Sequence, residues 1–256
     1  MRIQSKMLCS GLVFAAMLAA QPANRNCQGL PTAAQLKAHL QSAATLVGAP
    51  LAGAQPGTVG GLFNGERMWA AVVNRDGEVC AYATSTDDPS QVWPGSQAIA
   101  KAKAYTANAF SLDAANGGFP LSTARLYTFT QPGRSLWSLG QSNLFDASAL
   151  AAPAGNSGGR NQIAGGLIFF GGGVALYNGT KIIGALGVSG DTSCADHEVA
   201  KRVRHVAGMN PPGGPLVDDI TYSNPDGASA FTHPKCINTF RNGVLLPGSE
   251  QVAVGY

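Results

Sequence analysis

Two tight-turn sequences constrain the fold of this chain more than any other feature, because each predicts a β-hairpin. Asn74-Arg75-Asp76-Gly77 separates the β-rich runs Met68–Val73 and Glu78–Thr84. Asn178-Gly179 separates a second pair of β-rich runs further along the chain. A hairpin pairs its two strands antiparallel, whereas parallel strands need a long crossover connection. The chain therefore predicts a largely antiparallel sheet and not a doubly wound parallel one.

Three of the predicted strands lie close together in the second half of the chain. They are Gly166–Phe170, Val174–Tyr177 and Ile182–Val188, with Gly171-Gly172-Gly173 between the first two. Together with the first hairpin they make five strands, and the intervening helices must cover at least one face of the sheet. The predicted fold class is α+β, a largely antiparallel five-stranded sheet covered by helices.

Three segments predict those helices. Leu30–Leu46 carries apolar residues at helical spacing, and Ser96 is placed to cap an alanine-rich helix that runs to about Phe110. Ser193 is placed to cap a final helix that ends near Gly208. The helices therefore alternate with the hairpins along the chain.

Residues 1–20 predict a secretory signal peptide. Two basic residues precede a short apolar run, Gly11–Ala20, that ends in small residues. At about ten residues the run is too short to span a bilayer, and no other segment reaches about 18 uninterrupted apolar residues. We therefore expect a periplasmic or secreted protein with no membrane anchor. We expect one domain over residues 21–209 and an extended, Pro/Gly-rich C-terminal tail over residues 210–256.

Charge argues against a polyanionic partner. Only 12% of the residues are charged, against about 25% in typical domains. The sequence holds 17 Lys and Arg against 14 Asp and Glu, so loss of Arg2 and Lys6 with the signal peptide leaves 17 − 2 = 15 basic residues. A net charge near +1 with no basic stripe excludes a typical nucleic-acid binder.

Four cysteines are expected to remain after export: Cys27, Cys80, Cys194 and Cys236. In an oxidising compartment an even number predicts two disulfides, and the spacing leaves all three connectivities open. The alternative is a metal site on Cys194 and His197, but no further ligand motif supports it.

Two helices carry a charged residue where an apolar residue is expected. Lys103 and Thr106 lie on an otherwise apolar face of the middle helix, and Asp196 lies at the centre of the apolar stripe of the final helix. Because an unpaired buried charge is very costly, we expect Lys103 and Asp196 to be buried and to face one polar pocket. The alternatives are a Lys103 that extends to the edge of the core and an Asp196 that only stabilises its helix end.

The sequence motifs do not predict a catalytic site. Gly187-Val188-Ser189-Gly190-Asp191 resembles a nucleophile elbow, but its fifth position is Asp, so the GxSxG pattern fails. No HExxH, Walker A or dinucleotide-binding sequence occurs. A binding protein is therefore favoured over an enzyme.

Five ordered blocks resemble the GlcG/HbpS-like family, which includes the C-terminal domain of PduO-type proteins. The blocks are WAAVVNRDGEVCAYA, SQAIAKAKAYTANAF, LSTARLY, FGGGVALY and GALGVSGDTSCADHEVA, within Met68–Ala207. The resemblance implies haem or another tetrapyrrole as ligand, a five-stranded antiparallel sheet backed by helices, and a homo-oligomer. It places Lys103 and Thr106 in one family block and Asp196 in another, with His197 where Glu is usual.

The resemblance makes an exported haem-binding or haem-handling protein the first expectation, with a small-metabolite enzyme or a ligand-free sensory or structural partner subunit as alternatives. Among the histidines, His197 is the first candidate for the iron ligand, because it lies on the helix flank beside Lys201 and Arg204, cations that could hold haem propionates. The alternative for His197 is a solvent-exposed side chain. His39, on the first helix, is the second candidate.

Overall fold

A computed structural model describes residues 27–44, 59–142, 163 and 165–248. The predicted signal peptide lies outside the described residues. No helix within the described ranges is long and apolar enough to cross a membrane.

The described residues form five helices, eight strands and four 3-10 helices. The helices are α1 (Ala33–Ala43), α2 (Ser96–Phe110), α3 (Trp137–Gln141), α4 (Ser193–Val206) and α5 (Ser223–Asp226). The main strands are β1 (Trp69–Asn74), β2 (Val79–Thr84), β3 (Gly173–Asn178) and β4 (Lys181–Ser189). The short strands are β5 (Thr221–Tyr222), β6 (Thr232–His233), β7 (Phe240–Arg241) and β8 (Val244–Leu245), and the 3-10 helices are Pro89–Gln91, Ala114–Asn116, Thr123–Leu126 and Thr128–Thr130.

The four main strands form an antiparallel sheet in the order β2-β1-β4-β3. Both predicted hairpins are confirmed, but the sheet has four strands and not five. The prediction of a strand over Gly166–Phe170 is wrong. Gly165 and Gly166 adopt φ values of 66° and 85°, which break an extended conformation. The Ile168 N–H then donates to Thr106 Oγ1 of α2 at 2.9 Å instead of to a neighbouring strand.

Helices cover both faces of the sheet, so β1 and β2 are buried along their whole length. α2 packs on one face through Ala100 and Ala104, and α1 and α4 pack on the other. α2 lies very close to the sheet because Gly187 has no side chain. A Cβ there would lie 2.0 Å from the Ala100 carbonyl oxygen.

Two predicted helix caps are wrong by one residue. Ser96 is the first residue of α2, whose N-cap is Gly95. The N-cap of α4 is Thr192 rather than Ser193, and its side chain accepts from the Ala195 N–H. In α4, Thr192 has the extended dihedrals of an N-cap residue. Because Ser and Thr are both favoured as N-caps, the sequence alone does not choose between these two neighbours.

The structure confirms two disulfides and gives their connectivity, Cys27–Cys80 and Cys194–Cys236. The first attaches the segment before α1 to β2. The second attaches the C-terminal extension, described over residues 210–248, to the first turn of α4. The metal alternative for Cys194 is therefore excluded.

Candidate functional site

A buried ion pair joins α2 to α4. Lys103 Nζ lies 2.6 Å from Asp196 Oδ2, and the two side chains are 0% and 2% exposed. The ammonium also donates to the Val188 carbonyl, and Asp196 Oδ1 accepts from the Asp191 N–H. Burial raises the pKa of Asp196 to about 6 against the opposing effect of Lys103, and burial lowers the pKa of Lys103. The predicted burial and pairing are confirmed, and Lys103 does not extend to the edge of the core.

The glycine-rich segment before β3 closes over this ion pair. Thr106 Oγ1 donates to the Ala102 carbonyl and accepts from the Ile168 N–H. The Lys103 ammonium lies 4.9 Å from the ring centroid of Phe170. The side chains of Lys103, Thr106 and Asp196 therefore have hydrogen-bond partners within the protein. Their contact with a cofactor stays a prediction.

The C-terminal extension covers the charged face of α4. Arg204 makes a two-point contact with Asp218, Nη2 to Oδ1 at 2.5 Å and Nη1 to Oδ2 at 2.9 Å. Lys201 Nζ lies 2.8 Å from both Asp219 Oδ2 and Glu198 Oε2. Burial opposes the charge on Lys201, but Asp219 and Glu198 outweigh it and raise the pKa of Lys201. The two cations predicted to hold propionates are therefore paired with carboxylates, two of them from the extension.

His197 lies beneath the extension and is 1% exposed. The alternative of a solvent-exposed side chain is therefore wrong: the side chain lies close to Gly171 of the segment before β3 and to Asp219 of the extension. Within the described part of the chain neither ring nitrogen has a hydrogen-bond partner. Nε2 is 3.7 Å from Asp219 Oδ1, which is beyond hydrogen-bond distance. Burial lowers the pKa of His197 to about 3, with Asp219 opposing, so the ring is neutral at pH 7.

His233 and His205 have their own partners. His233 Nε2 accepts from the Gly171 N–H at 3.1 Å, and its Nδ1 lies 2.6 Å from the Pro234 carbonyl. Burial lowers the pKa of His233 to about 4. His205 Nδ1 lies 2.9 Å from the Asn210 amide nitrogen. Neither ring is placed as a free metal donor.

His39 lines an open cleft between α1 and the end of α4. The cleft has a volume of about 240 Å³ and its other lining residues are Gly29, Leu30, Pro31, Gln35, Ala207 and Met209. Burial lowers the pKa of His39, so the ring is neutral at pH 7. A neutral imidazole and a thioether are both haem-iron donors, and they border the same cleft.

A second cleft, of about 350 Å³, is lined by Arg75, Leu112, Asp113, Gly118, Lys181 and Ile182. It contains none of the predicted site residues. In the described ranges no group of three or more His, Cys, Asp and Glu side chains is arranged to hold a metal ion.

Four residues that shape these sites were not predicted from the sequence: Asp218, Asp219, Glu198 and Met209. Glu198 lies three and four residues from Lys201 and Arg202, a spacing that predicts helix ion pairs and could have indicated it. Asp218, Asp219 and Met209 meet their partners only through tertiary folding, and no local pattern marks them.

The fold and these sites define a class of protein: an α+β domain whose four-stranded antiparallel sheet lies between helices joined by a buried Lys–Asp pair. Residues 39–204 match the family model described as "Haem degrading protein HbpS-like". The chain therefore belongs to the HbpS-like family. No curated protein matches the chain.

Solved structures of similar proteins are distant in sequence. The Klebsiella pneumoniae protein ORFY is 22% identical with a TM-score of 0.44, and the alignment covers 69% of this chain and 87% of that one. A PduOC–haem complex is 20% identical with a TM-score of 0.42, over 68% and 89% of the two chains. A double mutant of Streptomyces reticuli HbpS is 19% identical with a TM-score of 0.38, over 67% and 84%.

Proposed function

We propose that this protein binds haem and that His39 is the axial donor accessible in the conformation described. The observation that carries the proposal is the neutral His39 ring in a cleft that also contains Met209, in a chain that belongs to the HbpS-like family. That family's description names haem, and PduOC is a relative described in complex with it.

The lining of the cleft fits one edge of a haem. Leu30, Pro31 and Ala207 provide apolar contacts, while His39 and Met209 provide nitrogen and sulfur donors. Its volume is below the 300–1,000 Å³ usual for sites that enclose a drug-sized ligand. A haem held there keeps part of the macrocycle outside the cleft, and a second copy of the chain in a homo-oligomer would cover that part. When bound, haem supplies a redox-active iron whose potential depends on its axial donors and its burial.

His197, the first candidate from the sequence, remains a prediction for a rearranged state. Its nitrogens are free of hydrogen bonds, but it is 1% exposed beneath the extension. Iron can reach it only if the residues that bury it move. His39 needs no such movement.

We also propose export to the periplasm or the exterior and a binding role rather than catalysis. Two disulfides support an oxidising compartment. The sequence has no HExxH, Walker A or dinucleotide-binding motif, which favours a binding role.

A haem titration followed by the Soret band tests the proposal. We expect saturable binding by the wild-type protein and a loss of affinity of more than about tenfold in His39→Ala. His205→Ala is the matched control, because His205 is a half-buried histidine outside the cleft. It should bind haem like the wild type.

Other outcomes separate the alternatives. If His197→Ala loses haem binding while His39→Ala keeps it, the iron ligand is His197 on α4 and not His39. A Soret band that forms and then decays in the presence of a reductant would indicate haem degradation rather than storage. Absence of saturable binding would favour the ligand-free partner subunit.

A further inference from the structure

Two adjacent carboxylates of the C-terminal extension lie on two neighbouring cations of α4. Asp218 contacts Arg204 through both carboxylate oxygens, and Asp219 contacts Lys201 at 2.8 Å. The cations lie within the family match, residues 39–204, whereas both acids lie beyond it. The cations of this face are therefore paired with carboxylates from two sources: Asp218 and Asp219 of the extension, and Glu198 of α4 itself, whose Oε2 also lies 2.8 Å from Lys201 Nζ.

The geometry of this face suits a ligand with two acidic groups. Lys201 and Arg204 are three residues apart and lie side by side on the helix. Arg binds a planar carboxylate through two parallel hydrogen bonds, and Lys binds one as a point charge. His197, four residues before Lys201, lies against Asp219, and both its buried ring nitrogens lack hydrogen-bond partners among the described residues. A buried polar side chain without a partner is unusual in a region that serves only to pack the chain.

We propose that this face of α4 is a binding site for a dicarboxylic acid, and that Asp218 and Asp219 occupy it as an intramolecular substitute for that ligand. Arg204 and Lys201 each hold one carboxylate, and His197 supplies a further polar contact. The inference goes beyond haem binding at His39 and does not depend on it.

The contacts that hold the extension here include hydrogen bonds as well as ion pairs, because Ser122 Oγ donates to the Asp218 carbonyl and Arg125 Nε to the Asp219 carbonyl. An apolar cluster also contributes, in which Ile220 and Tyr222 of the extension pack on Ala124 and Cys194. Opening the contact returns both members of each ion pair to water, which costs far less than burying one charge alone. A dicarboxylic ligand then restores the contacts of both cations. The segment can therefore exchange with a ligand of the same chemistry.

The Cys194–Cys236 disulfide keeps the displaced acids close to the face. A tethered competitor acts at a high effective concentration, so the wild-type protein should bind a free dicarboxylic acid weakly. Replacing the carboxylates of Asp218 and Asp219 should therefore increase the affinity of the protein for a free dicarboxylic acid.

Two sources of the ligand share this chemistry, the two propionates of a porphyrin and a small aliphatic diacid. The experiment compares Asp218→Asn/Asp219→Asn with the wild type in the full chain. The probes are iron-free protoporphyrin IX, its dimethyl ester as the matched uncharged control, and glutarate. Because no iron is present, failure of haem ligation at His39 does not affect the result.

We expect the double variant to bind protoporphyrin IX, glutarate or both at least about tenfold more tightly than the wild type. We expect no such gain for the dimethyl ester, and Arg204→Gln in the same background should remove the gain. A gain with glutarate assigns a small diacid, and a gain with the porphyrin alone assigns the propionates. No gain with either probe, or an equal gain with the ester, overturns the proposal.

A second measurement covers a double variant that fails to fold. In the wild type, saturating diacid should accelerate tryptic cleavage after Lys235 and Arg241 in the extension, because it competes with Asp218 and Asp219. Butyrate, a monoacid, is the matched control. Unchanged cleavage with both porphyrin and glutarate overturns the proposal independently of the variant.

Discussion

Replacing Lys103 with Met tests the energetic role of the buried ion pair. The substitution leaves Asp196 buried without its ammonium partner at 2.6 Å. Breaking a buried pair from one side costs about 3–5 kcal/mol, which for a domain of this size lowers Tm by roughly 6–20 °C. Differential scanning calorimetry at pH 7 measures the shift directly.

The pH dependence distinguishes a lost charge contact from lost packing. Burial already raises the pKa of Asp196 to about 6, and removing Lys103 raises it further. Between the ordinary carboxyl pKa and this raised value, Asp196 carries a proton in the folded variant but not in the unfolded chain. The stability of the variant therefore falls as pH rises through this range. We therefore expect the deficit of Lys103→Met relative to the wild type to be smaller at pH 5 than at pH 8.

Two further variants control this experiment. Lys103→Met/Asp196→Asn should recover much of the loss, because the Asn side-chain oxygen can still accept from the Asp191 N–H while no buried charge remains. Lys37→Met, in an exposed pair with Asp87, should leave Tm unchanged. A Lys103→Met protein that melts within about 2 °C of the wild type, or a deficit that is independent of pH, would refute the reasoning.

Three further predictions concern the fold. Thiol titration of the unfolded, unreduced protein should detect none of the four cysteines that the structure describes, and two or more reactive thiols among them would contradict the disulfides. Gly187→Ala should cost about 1–3 kcal/mol or more, because its Cβ would collide with the Ala100 carbonyl, whereas Gly140→Ala, whose Cβ would lie at an ordinary 3.7 Å from Phe169, should be near neutral in thermal melts. Burial lowers the pKa of His233 to about 4, so between pH 4 and 6.5 the unfolded chain binds more protons and stability falls as pH falls. His233→Gln should flatten that decline in urea titrations, and an unchanged slope would argue against a buried neutral ring.

Features that depend on local chemistry could be predicted from the sequence. Asn178-Gly179 indicated its hairpin because the turn needs a residue that tolerates positive φ, and Gly179, directly after the end of β3, adopts a φ of 60°. α2, observed over Ser96–Phe110, was predicted to within one residue at its N-terminus, because its composition strongly favours a helix. Lys103 and Asp196 were predicted as a buried pair because each breaks an apolar stripe. In these cases the local pattern and the tertiary fold agree.

Features that depend on tertiary contacts could not be predicted. The apolar segment Gly166–Phe170 has the composition of a strand, but its preceding glycines and its hydrogen bond to Thr106 direct it along α2. His197 is buried beside Gly171 and beside Asp219 of an extension whose sequence is Pro/Gly-rich and weakly patterned. The pairing of Asp218 with Arg204 likewise depends on where that extension lies. The burial of this face of α4 by its surroundings was therefore not predicted, and the assignment of site residues stays a prediction.

The most direct test of haem binding at the open cleft is the ratio of haem dissociation constants for His39→Ala and the wild type. Both are measured by Soret titration at the same pH and salt concentration. We predict a ratio above about ten, with saturation of the wild type at one haem per chain. A ratio near one, with saturable binding in both proteins, would contradict the assignment of iron to His39.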